Sequence, residues 1–406
     1  MYSLDEHQIS VDQIDPQAHY VIQKLREAGY KAYLVGGGVR DLLLKQKPKD
    51  FDISTSARPE EVRSIFRNAI LIGRRFRLAH VRFGKKIIEV STFRAGETEE
   101  AGLIVRDNVW GSEEEDVLRR DFTINGLFYD PETQEIIDYV DGYVDLEKRI
   151  LRTIGKPEVR FSQDPVRMIR LIKFCARFNF EIEKPTFEAL LACKGEILKS
   201  SSARVFEELL RMLESGSAKT FFHLLHQYGI LHSLLPELAH YLEIKPETSL
   251  FSLLEEIDSE VKKQTSAIDR SLLVSALLFP LFDEYLKART ANQDKLPHLG
   301  QIAESANHVI DCIFNPFFTI PRKLRSIVAF LMTTQYRFVP LDGKGVKKPR
   351  APSDPFFPTA LHLLKLRANV HTELLPHYTL WTETAFTEAV STEIESSRPR
   401  RRRRRR

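Results

Sequence analysis

The spacing of apolar residues changes character near residue 156, and that change bounds the fold. Before it, short runs that read as strands ("KAYLVGG", "AILIG", "HVRFGKKIIEVSTF") alternate with amphipathic helical stretches such as "PQAHYVIQKLREAGY" and "ARPEEVRSIF". After it the strand signals fade. "DPVRMIRLIKFCARF", "ARVFEELLRMLESG", "AKTFFHLLHQYGI" and "RSLLVSALLFPLF" all carry their apolar residues at helical spacing. A mixed sheet followed by segregated helices is an α+β arrangement, and 406 residues exceed what one hydrophobic core usually organises. The stretch 339–356 is rich in Pro, Gly and Lys and reads as a loop or linker. "PTALHLLKLRANVHTELLPHYTLWTETAF" reads as one last helix.

Charge is distributed unevenly. The net charge is +4, yet Arg398 and Arg400 to Arg406 supply eight positive charges with no acid among them, and removing them leaves about −4. Such a block repels itself too strongly to pack and is suited to neutralising phosphates. A polyanion is the expected partner. Cys175, Cys193 and Cys312 lie far apart with no CxxC or Cys/His spacing, so neither disulfides nor zinc is expected. The N-terminal residues carry acids and lack a basic start followed by an apolar run, and no uncharged stretch reaches membrane-spanning length. A cytoplasmic protein without a membrane partner is the expectation.

The densest chemistry lies in "YLVGGGVRDLLLKQKPKDFDIST". Gly36, Gly37 and Gly38 at a strand end would let backbone N–H groups approach a phosphate, with "VRDLLL" starting a helix behind them. Asp50 and Asp52 flank Phe51. In a strand they would share a face, with Phe51 turned into the core. Two adjacent carboxylates repel unless a cation sits between them, and hard divalent ions such as Mg²⁺ are held by carboxylates plus substrate phosphates. Glycine turns and Asp-x-Asp pairs are each common alone; joined as strand, turn, helix, turn, strand they specify much more. Downstream, "EEEDVLRRDFTINGLFYD" adds Arg119 and Arg120 for phosphate, a third acid in Asp121, and Asn125 for a sugar or base.

"LVGGGVRDLLL…KDFD", "RRDFTIN" and "DPVRMIR", in this order and spacing, resemble the family of bacterial poly(A) polymerases and tRNA nucleotidyltransferases within the polymerase-β-like nucleotidyltransferase superfamily. The resemblance is dense from about 31 to 215. It implies an α+β chain with these parts: an extension and helix (1–30), a nucleotidyltransferase head with a small mixed sheet (31–156), and an all-helical neck (157–215) and body (216–338). A linker and helical tail (339–390) and an Arg-rich RNA-binding arm (391–406) follow.

The implied reaction is attack of an RNA 3′-hydroxyl on the α-phosphate of a nucleoside triphosphate with two Mg²⁺ ions, releasing pyrophosphate. Asp50 and Asp52 carry over as metal ligands. Asp121 carries over as the third catalytic acid, with Glu89 of "KKIIEV" as its rival on a neighbouring strand. Gly36, Gly37, Arg40 and Asp41 would serve the triphosphate and its loop, and Arg119, Arg120 and Asn125 the nucleotide. Asp164 and Arg167 match the acid and arginine that sit by the incoming base in relatives, although Gln163 stands where those carry Glu.

Two activities share this scaffold: adding adenylates from ATP to RNA 3′ ends, and adding CCA to tRNA. "LIGRRFRLAHV" resembles the segment that marks the poly(A) polymerases, and its Arg74, Arg75 and Arg77 form a basic stretch suited to RNA. The Arg-rich end, including Arg400, Arg401 and Arg402, points the same way. The expectation is a poly(A) polymerase promoting RNA turnover, with a monomer favoured and both oligomeric state and association with RNA-degradation machinery left open. The CCA-adding sibling and a non-catalytic RNA-binding scaffold are the alternatives.

Overall fold

The computed structural model describes residues 1–73, 78–95, 109–246, 248–263, 267–291, 296–341 and 354–396, with side chains to 385. Arg74, Arg75, Arg77, most of the expected linker and, of the expected arm (391–406), residues 397–406 with Arg400, Arg401 and Arg402 lie outside the described residues. The chain divides into two compact units, 1–199 and 200–406.

The first unit is built on a seven-stranded sheet: β1 (Ala32–Val35), β2 (Asp52–Thr55), β3 (Ala69–Ile72), β4 (Leu78–Phe83), β5 (Lys86–Thr92), β6 (Phe128–Asp130) and β7 (Glu135–Ile137), in the order β3-β4-β5-β2-β1-β6-β7. Only β2 and β5 are parallel among the named pairs in this sheet. β3 to β5 form an antiparallel meander whose last turn uses Gly84 at φ +61°. All four residues of β1 are buried, as a central strand requires.

Short helices intervene: α1 (Leu4–His7), α2 (Pro16–Glu27), α3 (Gly37–Leu43), α4 (Pro59–Ile65), α5 (Glu113–Leu118) and α6 (Gly142–Glu147). In α2, Asp15 caps the N-terminus by accepting from the N–H groups of Gln17 and Ala18, Pro16 occupies the first turn, and Ala18, Val21, Ile22 and Leu25 form the buried stripe. On one face of the sheet Tyr33, Val35, Phe93, Val117, Phe128 and Ile154 form a core, with the Tyr33, Phe93 and Phe128 rings stacked at 5.7–6.2 Å. The unit ends with α7 (Pro157–Gln163), α8 (Val166–Phe178) and α9 (Lys184–Cys193), and a two-stranded parallel ribbon, β8 (Ile150–Leu151) with β9 (Glu181–Ile182).

The second unit contains α10 (Ser202–Leu213), α11 (Ala218–Gln227), α12 (Leu231–Leu234), α13 (Pro236–Ile244), α14 (Ser249–Lys263), α15 (Arg270–Thr290), α16 (Leu299–Phe314), α17 (Arg322–Phe338), α18 (Phe357–Val370) and α19 (Leu375–Ser396). α15 is buried continuously from Ser271 to Phe282 and is the axis on which α14, α16, α17 and α18 pack. No helix among the described residues is long and apolar enough to cross a membrane.

Two boundaries differ from the sequence expectation. The last helix is broken: His371 leaves the helical region at φ −120°, a short 3₁₀ turn spans Thr372–Leu374, and α19 restarts at Leu375. Pro376, which has no N–H to donate, sits in the first turn of α19, the place where it costs least. The helix after the glycines begins earlier than expected, with Gly37 and Gly38 as its first two residues.

Gly142 holds α6 against the turn that follows Asp121. A Cβ there would lie 2.1 Å from the Thr123 carbonyl oxygen, whereas a Cβ on Gly195 would meet nothing within 4 Å. Gly142→Ala is therefore expected to lower stability by about 1–3 kcal/mol in urea denaturation, and Gly195→Ala to leave it nearly unchanged.

Candidate active site

The register of three strands decides which polar side chains meet. Val35 is paired with Asp52 and Tyr33 with Ser54 across β1 and β2, while Ile53 is paired with Val90 and Ser54 with Ser91 across β2 and β5. Side chains paired in register share a face, so Asp52 and Ser54 stand on the same face as the aromatic core, with Glu89 and Ser91 beside them. The Ser54 and Ser91 hydroxyls are 2.8 Å apart, which fixes that alignment. Glu89 thus lies next to Asp52 on the adjoining strand, and His80 on β4 approaches it at 3.4 Å.

Asp50 is not in the strand. β2 begins at Asp52; Asp50 is exposed in the preceding loop and Phe51 is half-buried rather than part of the core. Pro48, just upstream, suits a loop better than a paired strand, since it has no N–H for a ladder. The loop is held against α3, because a Cβ on Gly38 would sit 3.3 Å from the Asp50 carbonyl oxygen. Asp50 still acts on Asp52 through its charge. Burial first, then Glu89 and Asp50, push the Asp52 carboxyl up to about 6, and Arg120 offsets part of this.

Among the described residues, Arg120 is the cation whose charge acts on Asp52. It donates to Ser54 Oγ at 3.2 Å and to Asp116 Oδ2 at 2.8 Å, and its guanidinium lies over the Phe128 ring. Gly36 makes room for it: with φ +65° and ψ −127° it adopts a conformation that only glycine takes easily, and a Cβ would lie 3.2 Å from Arg120 Nη1. Gly36 and Gly37 therefore leave the strand end open at the start of α3.

Arg40, Asp41, Asn125 and Asp121 form a buried chain behind those glycines. Arg40 donates to Asp41 Oδ1 at 2.7 and 3.0 Å and to Asn125 Oδ1 at 2.5 Å, and its guanidinium lies against the rings of Phe174 and Phe178. Arg177 Nη2 donates to the other Asp41 oxygen. Asn125 Nδ2 and the Phe122 N–H both donate to Asp121 Oδ1, and Arg170 Nε pairs with Asp121 Oδ2 at 2.7 Å. Burial would raise the Asp121 carboxyl, yet Arg170, Asn125, Arg167 and the Phe122 N–H together hold it below the ordinary carboxylate range. Burial pushes the Arg40 guanidinium down, opposed by Asp41.

Arg167 is buried and donates to two main-chain carbonyls, Arg160 O and Arg119 O, each at 3.1 Å. Arg160 donates to Arg120 O at 2.7 Å and to Gln163 Oε1 at 3.2 Å. Asp164 ends α7 beside them. The structure thus sets Asp52, Glu89, Arg120 and Gly36 around one sheet face, with Asp50 in the preceding loop where its charge acts on Asp52. Asp121, Asn125, Arg40 and Asp41 form the buried chain, and Arg119 and Arg167 meet through a main-chain bond.

Several participants escaped the sequence reading. Ser54 and Ser91 are ordinary residues whose role comes only from register, and Asp116 reaches Arg120 from α5, four residues before it. Arg94 sees both Asp116 and Glu89, and burial drives it below the usual arginine range. Arg170 had a signal: it follows Arg167 by three residues in "DPVRMIR", which puts both on one helix face.

The two acids respond oppositely to loss of charge. In metal-free protein Asp52 is destabilising when ionised, because its folded pKa exceeds the ordinary 3.8; this group's contribution is best below that value and worsens as pH rises through about 6. Asp52→Asn in chelator is expected to stabilise the fold by about 2–3 kcal/mol at neutral pH, with no advantage near pH 3. Asp121→Asn is expected to cost about 1–3 kcal/mol at neutral pH, a loss that shrinks in acid as wild-type Asp121 is itself protonated. Denaturant titrations across pH check both signs.

Comparison with known proteins identifies the family. Residues 32–152 match the family described as the poly A polymerase head domain, and residues 179–242 match one described as "Probable RNA and SrmB- binding site of polymerase A". Poly(A) polymerase I of Salmonella typhimurium is 36% identical over 93% of this chain and 84% of its own length, and that of Escherichia coli O157:H7 is 37% identical over 90% and 81%. The CCA-adding enzyme of Streptococcus suis is 37% identical over 61% of each chain. Among solved structures, the Bacillus stearothermophilus CCA-adding enzyme in complex with CTP shares the fold at TM-score 0.61 and 24% identity, covering 90% of this chain and 83% of that one. By sequence, fold and ordered motifs, the chain belongs to the bacterial poly(A) polymerase and tRNA nucleotidyltransferase family.

Proposed function

We propose that this protein adds adenylate residues from ATP to RNA 3′ ends without a template, in a reaction that promotes RNA turnover. The observation that carries the proposal is the charge of Glu89 and Asp50 acting on half-buried Asp52, beside Arg120 and the open glycine turn. The relatives named poly(A) polymerase I align over about nine tenths of the chain, and the CCA-adding relatives at similar identity over six tenths or less, which favours adenylate addition over CCA addition.

The donors around Asp52 are oxygens bearing more negative charge than Arg120 offsets, a set that fits a hard divalent cation. Asp50, Asp52 and Glu89 would hold two Mg²⁺ ions. When bound, these lower the pKa of the RNA 3′-hydroxyl and neutralise charge on the departing pyrophosphate. In the reaction a bond forms between the 3′-oxygen and the ATP α-phosphorus, the α–β phosphoanhydride breaks, and pyrophosphate leaves.

Gly36 and Gly37 let the triphosphate approach the main chain, and Arg120 supplies positive charge at the phosphates. Arg40, Asp41, Asn125 and Asp121 hold α3 and the Asp121 turn in place from behind. Asp164 and Arg167 orient the base, with Gln163 fixed by Arg160 where relatives carry Glu. Of the two candidates for the third acid, Glu89 adjoins Asp52, whereas both oxygens of Asp121 face Arg170, Asn125 and the Phe122 N–H. We therefore assign Glu89 to metal and Asp121 to positioning.

Purified protein with Mg²⁺, an unstructured RNA and ATP alone is expected to give long ladders. A product that stops after CCA, on tRNA only, would favour the sibling activity, and no product with any nucleotide would favour a binding scaffold. Asp50→Ala or Asp52→Ala is expected to lower extension by more than about 1000-fold while RNA binding stays nearly intact. Removing residues 398–406 is expected to weaken RNA binding and flatten its salt dependence more than it lowers turnover at saturating RNA.

A further inference from the structure

Outside the catalytic face, the second unit holds a set of side chains to which nothing above assigns a task. Among the described residues, the one group of three metal-capable side chains whose donor atoms all lie within 4.8 Å of one another is His226, His232 and Glu243. They come from three successive helices, α11, α12 and α13. From these observations we infer that His226, His232 and Glu243 form a binding site for a borderline divalent transition metal, Zn²⁺ foremost, that staples α11, α12 and α13 together.

The geometry is specific. His232 Nε2 lies 2.7 Å from Glu243 Oε1, and the His226 and His232 rings are stacked with centroids 5.7 Å apart and planes 19° apart. His226 Nε2 is buried and has no hydrogen-bond partner, so the lone polar atom inside the cluster is a donor nitrogen. Ile230, Leu231 and Leu234, at and just before the short helix α12, are fully buried and anchor it. His240, one turn before Glu243 on α13, places Nδ1 3.7 Å from Glu243 Oε2 and can orient the carboxylate from behind.

Two imidazoles and one carboxylate leave a fourth position for water, a donor set typical of zinc. Mg²⁺ prefers all-oxygen ligands and would not compete well. Binding would replace whatever proton His232 and Glu243 share by the metal, and would satisfy His226 Nε2. The sequence offered no cysteine spacing, and the histidines are spread over "HQYGILHSLLPELAHYLE", where only the turns between three helices bring them together.

The full-length protein, stripped with chelator and supplied with excess Mg²⁺ to fill the oxygen-rich site of the first unit, is titrated with Co²⁺ and followed by visible absorption. Wild type is expected to bind one equivalent with the d–d bands of a low-coordinate site, and Zn²⁺ is expected to displace it and raise the melting temperature. His232→Ala and Glu243→Gln alter exposed residues, so the fold should persist, and each is expected to weaken binding by more than about tenfold and abolish the Zn²⁺-dependent rise. If wild type gives no such spectrum, or if both variants retain it, the cluster is only a hydrogen-bonded surface pair and the inference is overturned. Neither readout depends on nucleotide transfer.

Discussion

The electrostatics of the first unit turn on a repulsion that the fold imposes. β2 and β5 run parallel, and their register sets Asp52 beside Glu89, with Asp50 in the loop just upstream. Desolvation and like charge work in the same direction at Asp52, and the carboxyl is consequently harder to ionise than in water. A fold that tolerates this stores an affinity for positive charge at one place on its surface. Arg120 answers only part of it, since its guanidinium is also committed to Asp116 and Ser54.

The buried arginines do different work. Arg40 and Arg167 are almost wholly enclosed and donate to an acid, an amide and main-chain carbonyls. A buried guanidinium is costly unless its donors are paired, so each reports a constraint on the groups it touches. Arg40 ties α3 to the Asn125 turn. Arg167 ties α8 to the Arg119 main chain.

Much of this was legible beforehand. The strand and helix pattern of residues 16–92 follows from periodicity, and Gly84 with Lys85 announces the β4–β5 turn. What the sequence could not show was register. Ser54 and Ser91 are 37 residues apart, and nothing local says their hydroxyls touch. Asp50 and Asp52 looked equivalent by their spacing of two, but the strand starts between them, so one is exposed and the other half-buried. Asp121 read as a third acid of the same kind because its type and motif were visible while Arg170, its partner, is 49 positions further on.

The bonds between α8 and the Arg119–Asp121 turn have a mechanical consequence. Arg167 grips the turn through the Arg119 carbonyl and Arg170 through the Asp121 carboxylate, so this helix is fastened to it at two points one turn apart. A helix pinned twice cannot tilt without carrying the turn along. Any tilt of α8 is thus passed to the Arg119–Asp121 turn and to the Arg120 side chain it carries, as through one lever.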